Sequence, residues 1–453
     1  MTPRTSRWFR KLLITLGIIT MAGAFPIAAV AQEATLALVG GRIVDGYGGP
    51  VIENGVVLVA GDRITAVGSA SVVAVPAGAR VVDTQGMTVL PGLCDMHVHL
   101  QLLGHGDYAR WDELYGERNE QIMAIAAEQL LMAGVTCARD LGGPLEPLVS
   151  TRRRIAEGEI PGPRLFISGP FLQRAPYEPW QADYRWGVDG ADDARAKTRR
   201  LIDAGVDVIK LIDQDQLTDD EVEAIVETAH AAGRKVVAHA HRPDEIRMGL
   251  RHGVDDFEHT GLATAPGYPD DILRALNERN TSLYWTPTIS PLYVMQYTGE
   301  VFPERLDDPS WRTGMPVAMA DEIRTSLNDI PHLPYYALFP SRIPILPHKF
   351  DQIRHTGVRL LIGTDSGIPS MFHTDSTWRE MVKWVELGVA PMEVIQAATL
   401  WPGRFFDRDD LGTLAPGHLA DVIAVRGDPL TDMGVLRDVA VIVQGGRVVR
   451  EGR

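Results

Sequence analysis

Short apolar runs separated by glycine and aspartate turns occupy both ends of the chain. Near the N-terminal end they cover residues 36–39, 56–60 and 63–67, and near the C-terminal end they cover residues 420–425 and 439–449. Runs of this length, rich in valine and bounded by turn residues, are typical of β-strands. We therefore expect residues 32–90 and 406–453 to build one small β-sandwich lobe together.

Between these ends, apolar strand-like runs alternate with longer amphipathic stretches. The first run ends at His97 and His99, and the others cover residues 135–140, 164–168, 206–212, 235–240, 255–259, 282–286 and 359–365. Eight strands alternating with helices over about 310 residues predict a (β/α)₈ TIM barrel, whose active sites lie at the C-terminal strand ends. We place this barrel at residues 91–405.

The amphipathic stretches predict helices at residues 118–132, 145–157, 192–203, 219–232, 243–252, 270–280, 377–387 and 392–400, with one more before residue 356. An open, doubly wound sheet would show a similar alternation. No glycine-rich phosphate-binding motif follows any of the predicted strands, which argues against that alternative. The predicted fold class is α/β, a TIM barrel with a small β-sandwich lobe built from both termini.

Residues 287–347 do not fit a tight loop, because the segment is long and rich in proline and aromatic residues. Segments of this length in compact domains are usually functional or contain helices of their own. We interpret it as an insertion that forms a lid over the pocket. A packed surface segment is the alternative.

The first 31 residues have the pattern of a secretory signal peptide. A basic start is followed by an apolar run from residue 12 to residue 31, which Pro26 interrupts, and by an A-x-A cleavage site at residues 29–31 before Gln32. An uncleaved membrane anchor is the alternative. Cleavage would give a periplasmic or secreted protein with no stable membrane insertion.

The charge of the chain argues against a nucleic-acid partner. The 453 residues carry a formal net charge of −15, and removing residues 1–31, which hold four cations and no acids, would make it −19. A negative chain without a basic stripe repels phosphate backbones. We expect a small-molecule partner, and the sequence leaves the oligomeric state open, a homo-oligomer included.

The chain has two cysteines, Cys94 and Cys137, and each lies in an apolar strand-like run. An oxidising compartment would permit a disulfide bond, but the geometry that pairing requires is not visible in a sequence. We expect two free, packed thiols. The spacing does not suggest a cysteine-based metal site.

His97 and His99 stand two residues apart at the end of the first predicted barrel strand. The period of two in a strand directs both side chains to the same side. Neutral imidazole is the commonest protein ligand for zinc and related metals. This pair alone would be half of a metal site.

Four more residues of suitable chemistry end or follow other predicted strands, namely Lys210, His239, His259 and Asp365. The C-terminal ends of barrel strands meet at one mouth. We therefore expect all six side chains to converge there, which is the arrangement of a metal-dependent active site.

At these residues the sequence resembles the amidohydrolase superfamily. The motif PGLCDMHVH at residues 91–99 matches the signature of its first strand. The motifs GVTCARDLGG at 134–143, EHT at 258–260 and GTLAPGHLAD at 412–421 are similar to the imidazolonepropionase-like branch, which includes prolidase-type Xaa-amino-acid dipeptidases and ochratoxin-type amidases. The resemblance covers nearly the whole chain after residue 31.

The resemblance implies a centre of two divalent metal ions, which we expect to be Zn²⁺. The two histidines of the first strand and Asp365 would hold one ion, and His239 and His259 would hold the other. Lys210, carboxylated on its amine by CO₂, would bridge them. Carboxylation needs a neutral amine, which burial among cations favours, and it yields an anionic oxygen ligand.

The resemblance further implies amide hydrolysis without a protein nucleophile. The two metals would share a hydroxide whose pKa they lower, and one metal would polarise the scissile carbonyl. Asp365 would be the catalytic residue, since it would accept the hydroxide's proton and pass it to the leaving amine. No G-x-S-x-G motif is present.

Five further residues are weaker candidates. His241 shares strand parity with the fifth-strand histidine and is a candidate contact of a substrate carboxylate. His373, on the loop after the last strand, is a second candidate substrate contact. We expect Arg139 and Asp140 to form a structural ion pair and Asp95 to support its histidine neighbours.

Two departures from the family pattern lie at the rim of the pocket, at residues 211–216 and at Arg242, where many relatives carry glycine. They leave the metal site intact and put the substrate in doubt. We predict a hydrolase that cleaves the amide bond of dipeptides or N-acyl amino acids. The alternatives are a hydrolase of cyclic amides, lactones or another C–N bond, and a non-catalytic barrel relative, which would tend to lose metal ligands.

Overall fold

The structure, a computed structural model, describes residues 34–260, 264–333 and 336–452. The predicted signal peptide at residues 1–31 lies outside these ranges, so its cleavage and the export of the protein stay predictions. Among the described residues, no helix combines the length and the apolar character needed to cross a membrane.

The described residues form nineteen strands. In chain order these are β1 Leu36–Val39, β2 Arg42–Ile43, β3 Gly55–Ala60, β4 Arg63–Ser69, β5 Arg80–Asp83, β6 Met87–Pro91, β7 Leu93–Val98, β8 Val135–Asp140, β9 Arg164–Ile167, β10 Phe171–Gln173, β11 Arg185–Gly187, β12 Val208–Leu211, β13 Lys235–His239, β14 Asp256–Glu258, β15 Tyr284–Thr286, β16 Arg359–Leu360, β17 Val422–Arg426, β18 Val439–Gln444 and β19 Arg447–Glu451.

The same residues form fourteen α-helices. These are α1 Tyr108–Tyr115, α2 Asn119–Met132, α3 Leu145–Ala156, α4 Ala191–Asp203, α5 Asp219–Ala231, α6 Pro243–His252, α7 Asp270–Glu278, α8 Ser290–Gln296, α9 Val317–Ser326, α10 Phe339–Arg342, α11 Leu346–His355, α12 Ser376–Glu386, α13 Pro391–Ala397 and α14 Leu400–Phe405. Local signals set several ends: Thr218 and Glu221 form a capping box at α5, and Gly253 ends α6 with a φ of +89°.

Strands from both ends of the described chain pack face to face. One sheet has the order β4-β3-β1-β5, and the other has the order β19-β18-β17-β6-β2. Valine and leucine side chains from the two sheets, among them Leu38, Val57, Val422 and Val443, share one buried cluster. This is the predicted β-sandwich lobe. The division of the chain into domains at residues 91 and 405 stays a prediction.

The eight strands predicted between the two ends are all present as β7, β8, β9 and β12 to β16, and their neighbours in the sheets run parallel. Backbone hydrogen bonds complete the ring on both sides. Asp207 N donates to Ile167 O at 2.8 Å and so joins β12 to β9, and Met96 N donates to Ile362 O at 2.8 Å beyond the end of β16. The predicted α/β class and TIM-barrel fold are confirmed.

The described residues of the segment 287–347 form short helices. The segment contains α8, α9 and α10, and it contacts loops at the C-terminal end of the barrel. Gly106 N donates to Ser326 Oγ at 2.8 Å, and Arg305 donates to Ser370 O at 3.0 Å. These contacts join the segment to the loops after β7 and β16, and a role as a mobile lid stays a prediction.

The expectation of free thiols is wrong, because Cys94 and Cys137 form a disulfide bond. The two residues lie directly opposite each other in the parallel ladder of β7 and β8, with their Cα atoms 4.5 Å apart. Both side chains are fully buried. The sequence places each cysteine on a strand but does not give the register between strands, and the register decides the pairing.

Removing the disulfide bond tests its contribution to stability. The bridge closes a loop with a sequence separation of 43 residues, for which the chain-entropy model gives about 4 kcal/mol. We expect the double variant C94A/C137A to lose about that much free energy of unfolding in denaturant titrations. In strong reductant the wild-type midpoint should approach that of the variant, and a loss below about 1 kcal/mol would contradict the assignment.

Candidate metal centre

The six side chains predicted to converge lie at the C-terminal half of the barrel strands. His97 lies in β7, His99 follows it, Lys210 lies in β12, His239 ends β13, His259 follows β14, and Asp365 lies in the segment that extends from β16 along β7. The parallel ladders bring these ends to one mouth of the barrel. The structure thus assembles the predicted set at one place.

His97, His99 and Asp365 form the first donor cluster, with one nitrogen or oxygen atom from each within 4.8 Å of the others. Asp365 Oδ1 lies 3.1 Å from His99 Nε2 and 3.5 Å from His97 Nε2. Ligand atoms around a tetrahedral zinc ion are separated by roughly 3.3 Å. The spacing therefore suits a single divalent cation held by two imidazoles and one carboxylate.

His239, His241 and His259 form the second cluster on the same distance criterion. The ring centroid of His259 lies 4.6 Å from that of His239 and 4.7 Å from that of His241. It also lies 4.8 Å from the centroid of His97, so the two clusters are adjacent. His241 was predicted as a substrate contact, and its place in this cluster makes it a candidate ligand as well.

Lys210 is 0% exposed, and its amine has no hydrogen-bond partner among the described residues. Burial lowers the pKa of Lys210 to about 8. Burial also lowers the pKa of His97 and His239 well below the usual value, and Lys210 nearby lowers both further. These two imidazoles are thus held in the neutral form that metal binding requires. Burial also lowers the pKa of His99, but the hydrogen bond to Asp365 and the nearby acidic groups together outweigh it, so that the pKa of His99 is raised.

A buried carboxylate fixes the orientation of His97. His97 Nδ1 donates to Glu258 Oε2 at 2.8 Å, and the other oxygen of Glu258 accepts a bond from Arg139 at 2.8 Å. With Nδ1 occupied, His97 Nε2 carries the lone pair, and this atom has no hydrogen-bond partner among the described residues. A carboxylate behind a histidine is a common support of metal ligands.

The predicted ion pair between Arg139 and Asp140 is wrong. Neighbouring residues of a strand point to opposite faces. Arg139 contacts Asp256 at 2.7 Å and Glu258 inside the barrel. Asp140 instead accepts the backbone N–H of Leu100 at 2.7 Å, and so connects β8 to the segment that carries His99.

Asp95 supports the first cluster as predicted. Its carboxylate accepts the backbone N–H of His97 at 3.2 Å and the hydroxyls of Thr364 and Thr377 at 2.7 Å and 2.8 Å. These bonds join β7 to the chain on either side of Asp365. The two parts of the first cluster are thereby held in register.

The backbone at the mouth is strained in the way that functional sites often are. His259, Thr288 and Asp365 have φ angles of 73°, 43° and 56°, in the left-handed region, and Thr288 Oγ1 lies 2.8 Å from His259 Nδ1.

A Cβ atom on Gly363 would lie 2.3 Å from a side-chain carbon of Thr286 and 2.9 Å from His97 Cβ. Only glycine permits this approach of the last strand to the first.

A cavity of about 520 Å³ opens at the clusters. Its wall includes metal donors from both clusters together with aromatic and apolar side chains, namely His99, His239, His241, His259, Asp365, Phe171, Tyr177, Tyr184, Leu333 and Ile368. A mostly apolar pocket with a few convergent polar groups is typical of small-molecule sites.

His373 does not line this cavity. The residue is 0% exposed, and its two ring nitrogens lie 2.8 Å from Ser366 Oγ and 2.9 Å from Leu102 O. With both nitrogens occupied, the ring holds the loop after β16 against the loop after β7. The structure therefore gives His373 a structural role in place of the predicted substrate contact.

The residues present fit a centre of divalent metal ions. Neutral imidazoles and a carboxylate are the ligands that zinc and similar ions prefer. Both His97 Nε2 and Lys210 Nζ are buried polar atoms without a hydrogen-bond partner among the described residues. Burial of such atoms is costly unless a ligand or ion satisfies them.

Comparison with known proteins agrees with this geometry. The sequence model of the amidohydrolase family matches residues 88–449. Ochratoxinase from Aspergillus niger is 24% identical over 471 residues, which covers 94% of this chain and 88% of that protein. This chain therefore belongs to the amidohydrolase family, and we conclude that it is a hydrolase acting on carbon–nitrogen bonds.

Solved structures share the fold over most of both chains. An Xaa-Pro dipeptidase with methionine bound in its active site has a TM-score of 0.73 and 25% identity, covering 92% of this chain and 99% of its own. Phenylurea hydrolase B has a TM-score of 0.74 and 22% identity, covering 92% and 97%. The second likeness concerns the fold alone.

The role of Glu258 behind His97 leads to a prediction on metal affinity. We expect E258Q to weaken zinc binding by about 10- to 100-fold, because His97 loses the carboxylate that orients its ring. The affinity can be measured by competition with a chromophoric chelator.

The matched control is D256N, because Asp256 contacts the same arginine but no histidine. Both variants replace one carboxyl group beside Arg139 with an amide. If D256N weakens zinc binding as much as E258Q does, the effect comes from the charge or the packing, and the positioning role of Glu258 is excluded.

Proposed function

We propose that the protein is a metal-dependent amidohydrolase that holds two Zn²⁺ ions and cleaves the amide bond of dipeptides or N-acyl amino acids. Lys210, carboxylated by CO₂, would hold both ions. The observation that carries the proposal is the buried Lys210 amine, which has no hydrogen-bond partner among the described residues and lies beside two histidine clusters. An anionic oxygen ligand at this position would satisfy both the amine and the metals.

The chemistry of the donors and the relatives supports this proposal. His97, His99 and Asp365 would hold one ion, and His239 and His259 would hold the other, with His241 within reach of the second. A dipeptidase is among the solved structures that share the fold. The branch of binuclear, carboxylated-lysine enzymes that the sequence resembles is part of the proposal.

When bound, the two ions would supply a water of lowered pKa and a Lewis acid for the scissile carbonyl. In this proposal Asp365 would move the proton. Burial opposes ionisation of Asp365, but the neighbouring His97 and His99 outweigh it and lower the pKa of the carboxyl. The carboxylate can therefore accept a proton on Oδ1 or Oδ2 and donate it to the leaving amine.

The aromatic and apolar wall of the cavity would exclude water from the reacting groups. Phe171 packs edge-on against the His99 ring, with 6.0 Å between centroids. Tyr184 and Leu333 line the same cavity. A less polar surrounding strengthens the electrostatic interactions of the metals and Asp365 with the substrate.

The substrate class can be tested with a library of Xaa-amino acid dipeptides and N-acyl amino acids. We expect zinc-loaded protein to hydrolyse members of the library and chelator-treated protein to hydrolyse none, with activity restored by added zinc. If no member turns over while a lactone or cyclic amide does, the dipeptide assignment is wrong and the enzyme acts on cyclic substrates.

The role of Asp365 can be tested on the same substrates. We expect D365N to lose about 10²- to 10⁴-fold in kcat, the usual contribution of a general acid–base group. The control is D375N, because Asp375 lies on the same loop and pairs with Arg305, 2.8 Å away. Equal losses in the two variants would point to a disturbed loop and away from proton transfer.

We also propose that the protein is exported and that residues 1–31 are removed. The disulfide bond between Cys94 and Cys137 supports this proposal, because such bonds persist in oxidising compartments. Mass spectrometry of the protein secreted by a bacterial host should find Gln32 as the first residue. An intact N-terminus would contradict the cleavage.

A further inference from the structure

Arg185 is the only lysine or arginine among the described residues that line the cavity. It begins β11, an additional strand at the edge of the sheet, and lies opposite Phe171 in the parallel ladder with β10. Phe171 in turn packs against His99. The ladder thus places one cation on the wall of the cavity, next to the aromatic ring that contacts the first donor cluster.

The charge of Arg185 has no carboxylate partner. Among the described residues no ion pair joins it to an acid. Its Nη1 donates to a neutral acceptor, Gln173 Oε1, at 3.0 Å, and the side chain of Tyr184 also hydrogen-bonds it. Other arginines at this end of the barrel are paired: Arg242 contacts Asp213 at 2.8 Å, and Arg305 contacts Asp375 at 2.8 Å. Arg185 differs from these two because no carboxylate of the described residues pairs with it.

Three aromatic rings hold the Arg185 guanidinium in place. Its Cζ atom lies 5.1 Å from the ring centroids of Phe171 and Tyr177 and 5.6 Å from that of Tyr184. Such cation–π contacts occupy the faces of a guanidinium group, while its N–H groups point outward in the plane. A preorganised fork of donors on an apolar wall is well suited to bind a carboxylate.

Besides Asp365, the cavity wall contains one other acid among the described residues, Asp213, and it does not compete for Arg185. The carboxylate of Asp213 accepts bonds from Arg242 and from the hydroxyl of Tyr177. The negative charge of Asp213 is therefore already compensated. Arg185 leaves one positive charge on the cavity wall for an incoming group.

The position of Arg185 agrees with the size of an amino-acid unit. The centroid of Phe171 lies 6.0 Å from the His99 centroid and 5.1 Å from Arg185 Cζ, which together limit the separation of His99 and the guanidinium to about 11 Å. In an N-acyl amino acid, the carboxylate is separated from the scissile carbonyl carbon only by the amide nitrogen and Cα. One substrate can therefore reach the metal donors and Arg185 together.

We infer that Arg185 binds the carboxylate of the amino acid that leaves, and so determines that the substrate is an acid. This inference depends on the proposed function, because it names the part of the substrate that the same cavity recognises. His241 was the sequence-based candidate for this contact, but its ring lies 4.6 Å from that of His239, among the metal donors. Arg185 is a specificity residue and takes no part in bond cleavage.

A matched pair of ligands tests the inference: N-acetyl-L-phenylalanine and its C-terminal amide, which differ only in the carboxylate. Binding is measured by calorimetry on protein whose metal has been removed with a chelator, so that the ligands are not turned over, with Arg185 intact or replaced. We expect the acid to bind more tightly than the amide. R185Q should weaken binding of the acid by about 10- to 150-fold, the range for a hydrogen bond to a charged group, and change that of the amide less than threefold.

Two further variants separate charge from structure. R185K keeps the charge but loses the planar fork, and we expect an intermediate loss for the acid. R200Q is the control. Arg200 also stacks on an aromatic ring, since its Cζ atom lies 4.5 Å from the ring centroid of Trp186, the residue after Arg185 in β11. Arg200 does not line the cavity. R200Q should leave both affinities unchanged.

Three results would each overturn the inference: equal affinity for the acid and the amide, equal losses for both ligands in R185Q, or no binding of either ligand. Failure of the proposed function has a different signature. In that case the zinc-loaded protein would hydrolyse neither N-acyl amino acids nor dipeptides, while the preference for the acid and the effect of R185Q would persist.

Discussion

The burial of the Lys210 amine beside a group of imidazoles is the constraint on which this structure depends. Charged amines cost several kcal/mol to bury without a hydrogen-bond partner, and the Lys210 amine adds to burial in lowering the pKa of His97, His239 and His259. Three carboxylates act on the charge of the Lys210 amine, and each has another partner: Glu258 bonds His97 and Arg139, Asp365 lies 3.1 Å from His99, and Asp256 bonds Arg139. If the neutral amine of Lys210 takes up CO₂, it becomes an anionic carbamate. Two bound cations then balance the negative charge of this group.

The barrel supplies the positions that this chemistry needs. Five of the eight strands supply the six donors at or just after their C-terminal ends, and hydrogen bonds between β7 and the segment after β16 close the ring next to His97 and Asp365. The left-handed backbone at His259 and Asp365 raises the local energy. The buried bonds of Asp95, Glu258 and Arg139 hold this strained arrangement in place, so the donors are preorganised before any metal binds.

The period of each apolar run reports local structure, so it identifies the individual strands and helices. Their alternation along the chain was then sufficient to predict the barrel. The six donor positions followed from the same alternation. Contacts across the barrel could not be predicted in this way. The Cys94–Cys137 bond depends on strand register, and the partners of Arg139 depend on which strands face each other. The strands β10 and β11, with three residues each, are too short to give a periodic signal.

Some of what was missed had a signal in the sequence. Asp256 and Glu258 stand two residues apart around Phe257 in a strand, so their shared face had to be lined with charge and to meet a cation. His241 and His239 also stand two residues apart, so a strand directs both side chains to the same face. His373 carried no such signal, because its two hydrogen bonds are formed by loops whose path is set by tertiary packing.

Carboxylation of Lys210 is the central claim, and ¹³C NMR of protein loaded with zinc in the presence of ¹³C-labelled bicarbonate tests it most directly. The account predicts one carbamate carbon signal that dialysis does not remove, two zinc ions per chain by metal analysis, and loss of the signal in K210R. Two bound zinc ions without a carbamate signal would contradict it, because Lys210 would then be an ordinary buried amine beside the metals.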